Sequence, residues 1–142
     1  MKGVLFMKIT SRGRYALKVV IDIAEQQSDD FIKLNDIAQR QNISEKYLES
    51  IIASLTKAGL LIGVRGKGGG YKLSKKPEEY TVGSILKVTE GSLTPVSCLD
   101  CKPNGCSSAA DCKTLPLWEG LDKVIDEYLE SVTIGDLAFG KK

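Results

Sequence analysis

All four cysteines of this 142-residue chain lie within fifteen positions, as Cys98, Cys101, Cys106 and Cys112. The segment between them is polar, and a Pro-Asn-Gly run at 103–105 is typical of a turn. Thiolates are soft ligands that suit transition metals. Several thiolates on one short loop can converge on a metal centre at a small cost in chain entropy. We therefore predict an exposed loop that binds a metal centre and acts as a sensor.

The gaps between the cysteines are two, four and five residues. A structural zinc site usually pairs two closely spaced cysteines with a second close pair, and Cys106 and Cys112 are too far apart to match that pattern well. A thioredoxin-like motif would need a βαβ context, which the sequence lacks. Iron–sulfur clusters accept irregular spacings on a loop. The spacing favours a cluster and leaves zinc or a thiol redox switch open.

The overall composition is that of an ordinary globular chain, with 42% hydrophobic and 27% charged residues. No apolar run approaches the roughly 18 residues that would cross a bilayer, and the first residues are too short for a signal peptide. We expect a cytoplasmic protein with no membrane partner, in which reduced thiols favour metal binding over disulfides. With no histidine, no phosphate loop and no nucleophile placed beside a base, an enzyme is not expected.

Charge is divided unevenly along the chain. Residues 1–76 hold 14 basic and 7 acidic residues, whereas residues 77–142 hold 6 basic and 11 acidic ones. A basic first half favours a polyanionic partner such as nucleic acid.

The basic half has the pattern of a helix-turn-helix. A first helix, capped by Thr10 or Ser11, carries an apolar stripe at positions 17, 20, 21 and 24. A short helix over 34–41 is followed by a turn and by Ser44, a good N-cap for a longer helix that Gly59 ends. Two helices joined in this way, the second of them capped, are typical of DNA-binding domains.

A glycine-rich hairpin follows the second helix. Residues 60–64 and 71–73 predict two strands, and the tip between them is Arg-Gly-Lys-Gly-Gly-Gly at 65–70. Glycines allow close backbone approach to a groove, and the cations suit phosphates or a narrow minor groove. The run lacks the spacing of a nucleotide phosphate loop. We predict a wing at 60–73 within a winged helix-turn-helix domain over 7–76.

The acidic half contributes a connecting helix within 77–91, the cysteine-rich loop at 92–115 and a long amphipathic helix with a tail at 116–137. Readers of palindromic DNA need two-fold symmetry, so we expect this helix to pair with a second copy of the chain. The fold class is mainly α with a small β-hairpin. The predicted dimerisation residues are Leu117, Leu121, Val124, Ile125, Tyr128 and Leu129.

The predicted DNA contacts come from three places. The start of the recognition helix should read bases, with Glu49 rejecting sites that offer its carboxylate neither a cytosine amino group nor a cation. The wing and the start of the first helix should contact phosphates or the minor groove. The full set is Lys8, Ser11, Arg12, Ser44, Lys46, Tyr47, Glu49, Ser50, Arg65, Lys67 and Gly68.

Four stretches resemble one known family. They are the MKITSRGRYA run at 7–16, ISEKYLE at 43–49, VRGKGGGY at 64–71, and the cysteine loop followed by LPLW at 115–118. Together they resemble the bacterial winged-helix iron–sulfur transcriptional regulators, the family of IscR, NsrR and CymR, with the IscR-type members most similar.

The resemblance implies a dimeric repressor of iron–sulfur cluster assembly genes that binds one 2Fe–2S cluster per subunit. It places three cluster ligands at Cys98, Cys106 and Cys112, with Cys101 as a fourth ligand or an alternative first one. It also places the DNA-reading glutamate and arginine at Glu49 and Arg65. The chain departs from the IscR pattern at Leu115, where those members supply a histidine ligand.

Overall fold

The computed structural model describes residues 9–91 and 113–140. Within those ranges the elements are α1 (Ser11–Gln26), α2 (Leu34–Gln41), α3 (Glu45–Lys57), β1 (Leu61–Val64), β2 (Gly70–Leu73), a 3-10 turn (Pro77–Glu79), α4 (Val82–Glu90), α5 (Leu115–Ser131) and α6 (Ile134–Phe139). This mainly helical chain with one antiparallel hairpin confirms the predicted fold class.

Helix α1 runs through the centre of the domain. Thr10 caps it by accepting a hydrogen bond from the backbone N–H of Gly13, and Gln27 ends it in the left-handed region at φ 47°. The predicted stripe at 17, 20, 21 and 24 was too narrow. Residues Ala16, Val19 and Ile23 are buried as well, whereas residues 17 and 21 are only partly buried. The reason is that α1 contacts α2, α3 and β2 as well as α4 and α6.

Helices α2 and α3 form the predicted helix-turn-helix. Ser44 caps α3 by accepting from the Tyr47 N–H at 3.2 Å, which satisfies one of the free donors of the first turn. The inner face of α3 buries Leu48, Ile51, Ile52 and Leu55. Gly59 follows the helix at φ 82°. Glycine adopts this left-handed conformation readily, which is why Gly59 was predicted to end the helix.

The hairpin pairs β1 with β2 in register from Leu61–Leu73 to Val64–Gly70. A single bridge between Ile32 and Tyr71 adds the segment before α2 to its edge. Gly70 lies at φ 146°, and a β-carbon there would collide with the Ile32 carbonyl. The hairpin is thereby held against the helix-turn-helix.

The core continues beyond the predicted domain boundary at residue 76. Tyr80 and Ile85 are fully buried in the same cluster as the helix-turn-helix. The Tyr80 hydroxyl donates to the Leu60 carbonyl and accepts from the Ser74 N–H at 2.8 Å. Helix α4 packs along α1, so it belongs to the winged domain and does more than connect two parts of the chain.

The segment predicted as a dimerisation helix and tail at 116–137 forms the long helix α5 and, where the sequence of the tail predicts a short helical turn at 133–137, the helix α6. Helix α5 packs on α4, with its C-terminal end beside the start of α4, since the Val82 N–H donates to the Val132 carbonyl at 2.9 Å. The chain then turns, and α6 packs on α1 with Ile134 fully buried. The tail is thus part of the core. No helix within the described ranges combines the length and the hydropathy that a membrane span requires.

Candidate nucleic-acid interface

The outer face of α3 holds the side chains predicted to read bases. Lys46, Glu49 and Ser50 are exposed, as predicted. Tyr47 is only partly exposed because its ring meets Tyr15 of α1 edge-on, with the centroids 5.8 Å apart. Lys46 and Glu49 are therefore the side chains of α3 with most freedom to reach a groove, and Tyr47 is partly occupied in packing.

A groove of about 390 Å³ separates α3 from the hairpin and is lined by both Glu49 and Arg65. Lys57 and Thr56 from the end of α3 complete that side. The same groove is therefore lined by a carboxylate that can select bases and by cations that can bind phosphate. Sequence reasoning missed Lys57, whose only signal was its place in the last turn of the recognition helix.

A second groove, of about 450 Å³, lies on the other side of the wing. It is lined by Lys33 and Asn35 from the start of α2, by Glu45, and by Arg65 and Gly66 of the wing. Lys33 and Asn35 are exposed and were also missed. Their contribution depends on the long-range pairing of the hairpin with the segment before α2, which leaves no local pattern in the sequence.

The wing tip is exposed from Arg65 through Gly68, as predicted. Gly66 and Gly68 have φ angles of 92° and 77°, which favour glycine over residues with a β-carbon. These two conformations turn the tip and present Arg65 and Lys67 to solvent. The wing tip thus presents two cations to solvent beside the recognition helix.

Two of the predicted phosphate contacts at the start of α1 hydrogen bond within the protein. Arg12 donates to the Ser50 hydroxyl at 2.9 Å, to the Ser50 carbonyl at 3.0 Å and to the Ser54 hydroxyl at 2.8 Å. Ser11 accepts from Arg14 at 3.2 Å. Lys8, the third predicted contact in this region, lies outside the described residues.

An ion pair between a buried carboxylate and a partly exposed arginine holds the helix-turn-helix to α1. The carboxylate of Asp22, which is 2% exposed, accepts from Arg40 at 2.7 Å and from Gln41 at 2.8 Å. The hydrogen bond to Asp22 raises the pKa of Arg40 above its ordinary value, against the opposing effect of desolvation. This contact fixes α2, and with it the turn that leads into the recognition helix.

Ion pairs also fasten α5 to α4. Lys87 lies 2.7 Å from Asp126 and 3.1 Å from Glu130. The hydrogen bond to Asp126, helped by Glu130, raises the pKa of Lys87, although burial opposes this. Glu130 also accepts from the Thr81 hydroxyl at 2.9 Å. The C-terminal half of α5 is thereby fixed to the winged domain.

The predicted dimerisation residues of α5 divide into two sets. Leu117, Val124 and Tyr128 are 60%, 61% and 65% exposed, an unusual degree for three large apolar side chains on one helix. Leu121, Ile125 and Leu129 are half-buried.

The four cysteines predicted as metal ligands, at 98, 101, 106 and 112, lie outside the described residues. Among the described residues, no three of the histidine, cysteine, aspartate or glutamate type come together as a metal site. The described chain reaches to Gly91, after α4, and resumes at Lys113, before α5.

A capped recognition helix beside an exposed cationic wing defines the class of winged-helix DNA-binding proteins. Residues 9–139 match the family described as Rrf2, an iron-dependent transcriptional regulator, and the chain belongs to that family. It is a transcriptional regulator and not an enzyme.

Three proteins of known name or structure are similar to this chain. The IscR regulator of Aliivibrio salmonicida is 39% identical over 131 residues, which cover 92% of this chain and 77% of that protein. The solved structure of CymR, described as the global cysteine regulator of B. subtilis, matches with a TM-score of 0.77 at 36% identity, over 95% of this chain and 98% of that one. The structure of T. potens IscR has a TM-score of 0.69 at 35% identity, with 92% and 85% covered.

Proposed function

We propose that this protein is an iron–sulfur-cluster-sensing repressor of cluster assembly genes, which acts in the cytoplasm as a homodimer on a palindromic operator. One 2Fe–2S cluster per subunit is held by Cys98, Cys106 and Cys112. The observation that carries the proposal is the position of the thiols: all four cysteines of the chain lie in the segment between α4 and α5, in a family described as iron-dependent.

The donor set fits such a cluster. Four thiolates within fifteen residues supply the ligand type that iron–sulfur clusters take in proteins. The chain has no histidine, so Cys101, an oxygen donor or a group from outside the chain completes the coordination. A bound cluster supplies a centre that changes with iron supply and oxidation, and its occupancy is the signal.

The protein's own residues transmit that signal to DNA. The cysteine segment links two helices that both pack within the winged domain, α4 along α1 and α5 along α4. Lys87 fixes the second of these contacts through Asp126. A change in the segment therefore bears on helices that touch the DNA-reading part of the chain. The exposed face of α5, with Leu117, Val124 and Tyr128, pairs with a second copy and gives the two-fold symmetry of the operator.

The test is an absorption spectrum of protein purified without oxygen, with iron and sulfide analysis. We expect charge-transfer bands in the visible range, and their loss or change in the Cys98→Ala, Cys106→Ala and Cys112→Ala variants. Cys101→Ala decides whether that thiol is a ligand. Colourless protein that contains zinc would reject the cluster. Equal operator affinity and site preference with and without the cluster would reject its role as the signal.

The likeness to CymR supports a second candidate, a regulator governed by thiol redox state, zinc or a partner protein. One solved structure of Staphylococcus aureus CymR is described as an oxidized form, with a TM-score of 0.74 at 31% identity and 96% of this chain covered. For this candidate, mild oxidation of metal-free protein should change DNA affinity reversibly, and Cys→Ala variants should abolish the response. An enzyme that co-purifies and alters DNA affinity would identify control by a partner.

A further inference from the structure

Arg12 reaches from the first turn of α1 to the middle of the recognition helix. Its guanidinium donates to the Ser50 hydroxyl and carbonyl at 2.9 and 3.0 Å, and to the Ser54 hydroxyl at 2.8 Å. Ser50 directly follows Glu49, whose carboxylate lines the groove beside the wing. Hydrogen bonds to a charged guanidinium are among the strong ones in proteins, so Arg12 fixes the part of α3 that holds Glu49.

The same turn of α1 is held from its other side by Glu90, the last residue of α4. One carboxylate oxygen of Glu90 accepts from the Thr10 N–H at 3.0 Å and from the Thr10 hydroxyl at 2.8 Å. That hydroxyl accepts in turn from the Gly13 N–H at 3.3 Å and caps α1. A β-carbon on Gly13 would collide with the Glu90 carboxylate, so the small residue keeps room for this contact.

We propose that Arg12 and Glu90 are positioning residues for DNA recognition, acting through the first turn of α1. Arg12 sets the position of α3, and Glu90 sets the position of the turn that holds Arg12. Side chains that read a ligand need such support, because small displacements remove their productive geometry. The inference rests on DNA binding by α3 and is independent of the cluster.

The first experiment separates positioning from a phosphate contact by Arg12. A DNA site is selected in vitro from random duplexes with full-length wild-type protein. The quantity measured is a ratio, the affinity of the protein for this site divided by its affinity for a scrambled duplex. Arg12→Met and Ser54→Ala should each lower this ratio roughly tenfold, the scale of one base contact. The double variant should lose no more than either single one. Arg14→Met is the control, because the Arg14 guanidinium donates to Ile9 and Ser11 and to no residue of α3, and its loss should leave the ratio unchanged.

Ser54→Ala removes no charge, so its effect cannot come from a lost phosphate contact. The dependence of affinity on salt should be the same for Arg12→Met and Arg14→Met. If Arg12→Met instead weakens both duplexes equally and lowers the salt slope by about 0.9, while Ser54→Ala has no effect, the positioning role of Arg12 is overturned.

The second experiment tests Glu90. Glu90→Ala should reduce the ratio as Ser54→Ala does, and Glu90→Gln, which keeps an acceptor oxygen, should retain most of it. Gly13→Ala should lower the ratio as Glu90→Ala does, because the added β-carbon would displace the Glu90 carboxylate. The variant should still fold, because only the flexible end of the Glu90 side chain must move and a helix favours alanine over glycine. Gly120→Ala on α5 is the matched control, because no atom of the described residues lies within 4 Å of the added carbon.

The role of Glu90 would be overturned if Glu90→Ala and Gly13→Ala both leave the affinity ratio unchanged. Thermal unfolding would confirm that both variants are folded. A wild-type protein that selects no site would overturn recognition by α3 altogether.

Discussion

Glu49 on the recognition helix and Arg65 on the wing line one groove, although sixteen positions separate them along the chain. They come together because β1 follows α3 after a short turn and packs on it, while β2 packs on α1 and pairs with the segment before α2 through the Ile32–Tyr71 bridge. A carboxylate is repelled by phosphates unless it accepts a hydrogen bond from a base or pairs with a cation, whereas a guanidinium is attracted to them. The groove therefore combines selection with affinity.

Glu49→Ala should relax discrimination at one base position and leave the others unchanged. Loss of a carboxylate that accepts from a cytosine amino group, or that excludes other bases, is worth about 1–3 kcal/mol at that position. Binding to a panel of single-base variants of the selected site measures it. The control is Glu119→Ala, which removes an exposed carboxylate from α5. An equal change on every sequence would show that Glu49 acts only through net charge.

Arg65→Ala should weaken binding to selected and scrambled DNA to similar extents and flatten the salt dependence. Each phosphate contact contributes about 0.9 to the slope of log affinity against log salt. Titrations at four or more salt concentrations measure that slope. Lys123→Ala removes one cation from the exposed surface of α5 and should leave the slope as in the wild type. A slope unchanged by Arg65→Ala would place the side chain away from phosphates.

Arg40→Met should destabilise the fold through the carboxylate it leaves behind. Asp22 is 2% exposed and would keep only the Gln41 hydrogen bond. Breaking a fully buried pair costs about 3–5 kcal/mol. Because the Arg40 side chain is 38% exposed, we expect a lower value, about 2 kcal/mol in urea unfolding. Adding Asp22→Asn should recover part of the loss, and a double variant no more stable than Arg40→Met would contradict this account.

Local signals in the sequence predicted most of the fold, since caps and glycines leave direct marks. Ser44 was predicted as an N-cap, and so was Thr10 as an alternative to Ser11; each accepts the expected backbone hydrogen bond. The hairpin was predicted from its glycines and its apolar runs. The Asp22–Arg40 pair had no such signal, because its partners are eighteen positions apart and meet only when α2 packs on α1.

The interface was predicted less completely for the same reason. The exposure of Lys46 and Glu49 followed from the period of α3, which places Leu48 and Ile51 inside. The engagement of Arg12 by Ser50 and Ser54 could not be predicted, because it depends on how α1 crosses α3. Lys33 and Lys57 were missed, since their approach to the wing is set by tertiary packing.

Val124→Lys should prevent self-association if the apolar face of α5 pairs with a second copy. Val124 is 61% exposed in the single chain, so the substitution should leave the fold of the monomer intact. Sedimentation equilibrium should show the mass of a dimer for the wild type and of a monomer for Val124→Lys. Glu119→Lys places a lysine on the opposite side of the helix and should remain dimeric. A wild type that is monomeric at high concentration would contradict the pairing.

Lys87→Met should loosen α5 from α4 and give the unfolding free energy a defined dependence on pH. The pKa of Lys87 is raised in the folded protein by Asp126 first and then by Glu130. A raised pKa means that its contribution is complete below the ordinary lysine value of about 10.4 and is lost as the pH rises through the folded value. The difference from wild type should therefore be constant from pH 7 to about pH 10 and shrink above that range.

The size of this difference should be small, because the Lys87 side chain is 45% exposed and water screens the pair. We expect about 0.5–1 kcal/mol at pH 7, less in high salt. Lys123→Met is the control, since Lys123 lies 4.0 Å from Glu127 of its own helix and its loss should cost about 0.3 kcal/mol. Subtracting matched variants at each pH removes the titration of the other lysines and tyrosines. A difference that grows above pH 10 would have the wrong sign for this ion pair and would show that it does not hold α5 on α4.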